Sequence, residues 1–162
     1  MQHVVHSIPP VFDARSRVLI LGSFPSPKSR EMGFYYGHPQ NRFWTVLSTI
    51  LKQPFPQSVE QRKRMALAAG IALWDVVQQC DIEGAADTSI QNVVCNDISM
   101  ILRAAPIRTI YTTGGRAHQL YTKYCEKDVG RPAVRLPSTS PANCTVHLPQ
   151  LCEQYSRILK DL

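Results

Sequence analysis

Short apolar runs alternate along this chain with segments whose apolar residues recur every three or four positions. Val18 to Leu21, closed by Gly22, is too short and too uniformly apolar for an amphipathic helix and reads as a strand buried on both faces. Phe43, Trp44, Leu47, Ile50 and Leu51 share a helical face, so Asn41 to Leu51 is predicted to be a helix, ended by Lys52-Gln53-Pro54-Phe55-Pro56. Ser58 is a good N-cap for a second helix, Val59 to Ala69, which Gly70 closes. Ile71 to Val77 then reads as a second strand, a buried run interrupted by one carboxylate, Asp75. From Gln79 to Asn96 the chain is polar and small, with Gly84, Ala85, Ala86, Thr88 and Ser89, and a long surface loop is expected. Asn96-Asp97 caps a helix running to Ala105, and Pro106 turns the chain into a third strand, Ile107 to Thr112. Gly114-Gly115 opens a helix from Arg116 to Cys125, Ala133 to Leu136 makes a short fourth strand, and His147 to Leu162 forms a terminal helix. Ahead of all these, His3 to Asp13 reads as an arm in which Pro9-Pro10 bars regular helix; no chemistry attaches to His3 or His6. The alternation predicts an α/β, three-layer fold with a central, mainly parallel four-stranded sheet flanked by helices.

Composition narrows the class. A chain of 162 residues, 44% hydrophobic, builds one good core, so residues 1–162 are read as a single domain. No apolar run approaches a membrane span, and the opening MQHVVHSIPP lacks the plan of a signal peptide, which points to the cytoplasm. The five cysteines, Cys80, Cys95, Cys125, Cys144 and Cys152, are widely spaced without a CxxC pair, so reduced, mostly buried thiols are expected, with no metal or iron–sulfur cluster. A net charge of +6 and a pI near 9.2 suit a polyanionic partner. The Gln61-Arg62-Lys63-Arg64 run reads as a solvated helix face rather than a DNA contact. The full GxGxxG is absent after the third strand, which argues against nicotinamide binding.

Candidate chemistry gathers past the first strand. Gly22, Ser23, Pro25, Ser26, Pro27, Ser29 and Gly33 make an irregular loop, and Phe34, Tyr35 and Tyr36 set aromatic rings beside His38, Asn41 and Arg42. Ligands collect past the carboxyl ends of strands in open α/β sheets. Gly22-Ser23-Phe24-Pro25-Ser26, then Tyr35-Tyr36-Gly37-His38-Pro39-Gln40-Asn41-Arg42-Phe43-Trp44, and later Leu136-Pro137-Ser138-Thr139-Ser140-Pro141-Ala142-Asn143, together resemble the uracil-DNA glycosylase superfamily. Within it the chain is most similar to the hypoxanthine (deoxyinosine) DNA glycosylases. The motifs lie at opposite ends of the chain in the family's order, so the likeness spans nearly its whole length.

The resemblance implies a uracil-DNA glycosylase-like fold and a monofunctional enzyme acting on DNA that contains deoxyinosine, a monomer with no cofactor. Such an enzyme takes the base out of the stack, holds it, and breaks the bond to sugar C1′. Tyr35, Tyr36 and Phe24 are the expected stacking surface, the alternative being that one of these rings is ordinary core. The uracil enzymes carry an aspartate or asparagine to position the attacking water where Phe24 stands, so that task falls to Asn41, which matches the catalytic asparagine of the hypoxanthine family's HPxN element. Asn41 is also a good helix N-cap. His38 either donates to the departing base or a phosphate, or braces the loop. Asp75 stands where the uracil enzymes read the base edge; an acceptor there favours hypoxanthine, with its ring N–H, over adenine, and the alternative is a strand-end cap or ion-pair partner. Ser138 and Ser140, with Thr139 behind them and Ser23 at the first motif, suit a phosphate clamp, and Arg42 is either a phosphate contact or a structural group. Leu136 replaces the histidine that begins the matching loop in uracil enzymes. No lysine in the motifs is placed for a Schiff base, so strand cleavage is not expected. The rival readings are a uracil or mismatch-specific glycosylase, an inactive DNA-binding module, and a hydrolase of free nucleosides.

Overall fold

The computed structural model describes residues 1–84 and 86–162, the side chain of Asp87 excepted. In chain order it contains β1 (Gln2–Val5), β2 (Val18–Gly22), α1 (Pro27–Met32), α2 (Phe43–Leu51), α3 (Val59–Ala69), β3 (Ile71–Asp75), β4 (Val77–Ile82), a 3-10 turn (Asp87–Ser89), β5 (Gln91–Cys95), α4 (Ile98–Ala104), β6 (Thr109–Thr113), α5 (Gly115–Tyr124), α6 (Glu126–Val129), β7 (Val134–Leu136), α7 (Leu148–Tyr155) and a closing 3-10 segment (Ser156–Asp161). The four predicted strands form one sheet in the order β3-β2-β6-β7, every pair parallel. β2 and β3 are buried along their whole length, as a continuous apolar run requires when a parallel sheet is flanked by helices.

Register places the site. Gly22 pairs with Asp75, Leu21 with Thr112, and Thr113 with Leu136, so all four strands finish in one row. Past this row the connections are held by local chemistry. Ser26 accepts from Ser29 N and Pro27 occupies the first turn, which makes α1 a short helix inside a segment expected to be wholly irregular. Ser58 and Gly70 cap α3 at its two ends, as expected. Most of the Gln61-Arg62-Lys63-Arg64 run is exposed on α3, with Arg62 over the Trp44 ring.

The region from Gln79 to Asn96 departs from expectation. Instead of a long loop it supplies β4 and β5, which join β1 in a second, antiparallel sheet of order β1-β4-β5; Ala85, part of the expected loop, lies outside the described residues. The pairing of β4 with β5 shifts register twice and β5 is largely exposed, so neither strand carries a clean alternation of apolar and polar residues. The expected arm likewise contributes β1. The second predicted strand ends at Asp75 rather than Val77, because Val76 N and Val77 N bond to the carbonyls of Gly22 and Ser23 and carry the chain across the end of β2. Asn96, expected as a cap, is buried and clamps this crossing through Nδ2 to Asp75 O and Val77 O at 2.9 and 3.3 Å.

The thiol expectation also needs correction. Cys95, at the end of β5, and Cys125, between α5 and α6, form a disulfide across a sequence separation of 30. Sequence spacing alone could not reveal a pair that only the packing of the second sheet against α5 brings together. Among the described residues no helix is long and apolar enough to cross a membrane, and no group of three His, Cys, Asp or Glu side chains is placed to hold a metal.

Candidate active site

A pocket of about 370 Å³ opens where the four parallel strands end, within the size range of small-ligand sites. Gly22, Asp75 and Thr113 come from the ends of β2, β3 and β6; Ser138, Thr139 and Ser140 follow β7; Ser23, Phe24, Tyr35, Tyr36, His38 and Asn41 come from the segment between β2 and α2; Ile82 ends β4 of the second sheet and Gly84 lies in the turn after it. Ten of the eleven predicted site residues thus line one cavity.

The eleventh, Arg42, does not line it. Its guanidinium donates to the carbonyls of Val146, Ser140 and Asn143 at 2.5, 3.1 and 2.9 Å, and its backbone N–H to Thr139 O at 3.1 Å. Of the two roles open to it, the structure places Arg42 as a brace that fixes the 138–146 loop to the start of α2. Tyr155 adds to this hold, its buried hydroxyl donating to Pro137 O at 2.5 Å. Gly114, at φ +94°, faces Ser138, where a Cβ would come within 3.2 Å; only glycine lets the α5 turn sit against the loop without strain.

Asn41 Oδ1 accepts from Phe43 N at 2.9 Å and from Thr139 Oγ1 at 2.8 Å; the cap position of α2 is Arg42 rather than the expected Asn41, whose side chain instead closes a turn just ahead of the helix. Both lone pairs are engaged, so what Asn41 offers the pocket is the pair of protons on Nδ2. Thr139, expected behind the serines in a phosphate clamp, is 1% exposed and spends its hydroxyl on this contact. Ser138 Oγ accepts from Ser140 N and Ser140 Oγ from Ala142 N, which leaves each hydroxyl proton for an external acceptor. His38 Nδ1 accepts from Gln40 N at 3.1 Å, so the ring braces the turn while Nε2 remains for a ligand.

The aromatic rings divide their work. Tyr36 stacks on Phe43 with centroids 3.9 Å apart and planes 11° apart, and it adopts φ +54°, a conformation costly for a tyrosine. Its hydroxyl lies 3.3 Å from Thr113 Oγ1. Tyr35 is 2% exposed and donates to the carbonyls of Ile8 and Pro9, making it the floor of the pocket rather than a free stacking face. Phe24 meets the edge of His6 on one side and carries the Arg30 guanidinium 5.7 Å from its centroid. Burial first, and the nearby Asp75 second, push both tyrosine hydroxyls well above the usual range.

Asp75 is reached by a residue that the motifs did not point to. Its Oδ2 lies 2.8 Å from His6 Nε2, both side chains buried. The sequence carried no signal for this pair, because the antiparallel β1–β4 pairing alone brings His6 alongside.

The chain matches the family model described as the uracil DNA glycosylase superfamily over residues 9–162. The chain belongs to that superfamily. Similar proteins include the hypoxanthine DNA glycosylase of Methanosarcina barkeri, 35% identical over 83% of this chain and 85% of the relative, and that of Methanosarcina acetivorans, 30% identical over 86% and 89%. A solution NMR structure from Methanosarcina acetivorans, provisionally described as a uracil DNA glycosylase, superposes with a TM-score of 0.82 at 28% identity, covering 98% of both chains. Superfamily membership makes DNA the substrate and DNA glycosylase the activity class.

Proposed function

We propose that this chain is a monofunctional DNA glycosylase that removes hypoxanthine, the deamination product of adenine, by hydrolysing its N-glycosidic bond, working as a single-domain monomer in the cytoplasm. The observation that carries the reading is Asn41, held by Phe43 N and Thr139 Oγ1 at the wall of a pocket that also collects an aromatic stack, a carboxylate and two serine hydroxyls. The two similar proteins named for hypoxanthine support the choice of base.

The extruded base stacks on Tyr36, an interaction worth about 1 to 3 kcal/mol and enough to offset much of the cost of unpairing. Ser138 and Ser140 donate to the backbone phosphates around it. Water, oriented by the Nδ2 protons of Asn41, bonds through oxygen to C1′ as the bond to the purine nitrogen breaks. The electron pair leaves with the base, which takes up a proton, and the water loses one. The products are free hypoxanthine and an abasic site in an intact strand.

The test is a duplex bearing one deoxyinosine, treated with the purified protein in the presence of chelator and then with alkali, alongside uracil and adenine duplexes. Cleavage at the inosine position is expected, and Asn41→Ala should slow it by about a hundredfold, in line with misplacing the attacking water, while duplex binding persists. Salt-sensitive binding without base release from any duplex would turn the reading to a DNA-binding module.

A further inference from the structure

Two ionisable side chains meet at the inner end of the pocket, and one lies ahead of both motifs. His6 follows β1, and its backbone N–H bonds to Gln78 O at 2.6 Å, so the second sheet carries it to the end of the first. Its Nε2 sits 2.8 Å from Asp75 Oδ2, with the side chains 2% and 5% exposed. The ring is set by the edge of Phe24 and by Tyr35, whose hydroxyl ties down the carbonyls of Ile8 and Pro9 just downstream. The other carboxylate oxygen, Oδ1, lies over Gly22, where an added Cβ would come within 2.5 Å. One oxygen of Asp75 is therefore committed to His6, and the other lies against a glycine of the pocket wall.

A bare carboxylate at this point conflicts with base departure. The base gathers negative charge as its bond to C1′ breaks, and a fixed negative charge in a water-poor site opposes that. A buried carboxylate stripped of its partner is also costly in itself. His6 is the group placed to resolve both.

We propose that His6 and Asp75 work as an imidazolium–carboxylate unit of zero net charge, in which Asp75 Oδ1 accepts from the ring N–H of hypoxanthine while His6 holds Oδ2 and cancels the charge. This rests on the hypoxanthine reading above and makes His6 a positioning residue. Adenine presents a bare nitrogen at that ring position, so Oδ1 has nothing to accept there, and its donor is displaced to the exocyclic amino group where hypoxanthine carries a carbonyl. The other ionisable groups facing the pair are the hydroxyls of Tyr35 and Tyr36, which stay protonated, and the Arg30 guanidinium across the Phe24 ring. The unit is neutral only while the pair shares one proton; without that proton it is anionic, and base release slows.

The experiment is the single-turnover rate of hypoxanthine release from the deoxyinosine duplex against pH, for the unaltered protein, His6→Gln, Asp75→Asn and the double variant, with melting temperature and duplex affinity measured for each. The amide introduced by His6→Gln can still donate to Oδ2 but carries no charge. That variant is expected to be at least tenfold slower and to lose the alkaline decline, with duplex affinity unchanged. Asp75→Asn in that background should recover part of the rate, because it removes the uncompensated charge and keeps an acceptor. A His6→Gln variant with the original pH profile, or a double variant slower than His6→Gln, overturns the proposal. Nitrogen-15 shifts of the His6 ring in the unaltered protein read the same proton without any substitution: both nitrogens protonated where the rate is maximal supports the unit, and a neutral ring there overturns it. Failure of the unaltered protein to release hypoxanthine would instead overturn the functional reading, and this proposal with it.

Discussion

An asparagine has two lone pairs on Oδ1 and two protons on Nδ2, and in this protein Phe43 N and Thr139 Oγ1 take both lone pairs. The amide cannot rotate without losing two hydrogen bonds, so its protons face the pocket in one orientation. The oxygen end of the side chain holds the start of α2 to the loop after β7, and the nitrogen end is left to the pocket. Thr139→Val keeps the shape and removes the donor, a loss of about 0.5 to 1.5 kcal/mol in fixing Asn41. The expected result is a rate of hypoxanthine release lower by up to about tenfold, with duplex affinity unchanged. A rate equal to that of the unaltered protein would mean that the backbone bond alone orients Asn41.

At the scale of elements, the pocket has two supports that share no strand. One is the parallel sheet, whose register sets Gly22, Asp75 and Thr113 in a row. The other is the antiparallel sheet, which delivers His6 and, through β4, Ile82. The Cys95–Cys125 disulfide ties the outer strand of the second sheet to the end of α5. Closing a loop of this sequence separation is worth about 3 to 4 kcal/mol in the chain-entropy account. Cys95→Ser with Cys125→Ser, or added reductant, is therefore expected to lower the melting temperature by roughly 5 to 15 °C. The rate of base release well below melting should hold, since neither cysteine lines the pocket. An unchanged melting temperature would show that the bond contributes no net stability.

At the scale of the molecule, the core is closed by tyrosines. Burial pushes Tyr35, Tyr36 and Tyr155 well above the ordinary value of 10.0, and Tyr111 and Tyr121 up to about 12. For such groups the folded state keeps the proton longer than the unfolded chain does. Their stabilisation is complete below about pH 10, where the unfolded hydroxyls are still protonated, and is lost as the pH rises through the folded value. Alkaline titration should therefore show most tyrosinate absorbance appearing in one cooperative step, coincident with loss of circular dichroism. Gradual ionisation of all six tyrosines around the ordinary value, with the fold intact, would contradict this.

The continuous apolar runs at Val18 and Ile71 and the glycine-bounded strand at Thr109 determined the parallel sheet by themselves, because a strand buried on both faces needs no partner to declare it. The two motifs likewise marked Asn41, Tyr36, Ser138 and Ser140, since local order places them past strand ends. What tertiary structure alone decided was the second sheet, whose bulged and half-exposed strands carry no period, and with it every relation that crosses it. The disulfide, the bracing role of Arg42 across about a hundred residues, and the meeting of His6 with Asp75 all depend on contacts between segments far apart in the chain. No pattern of neighbouring residues encodes such contacts, because distant segments find each other by packing rather than by sequence proximity.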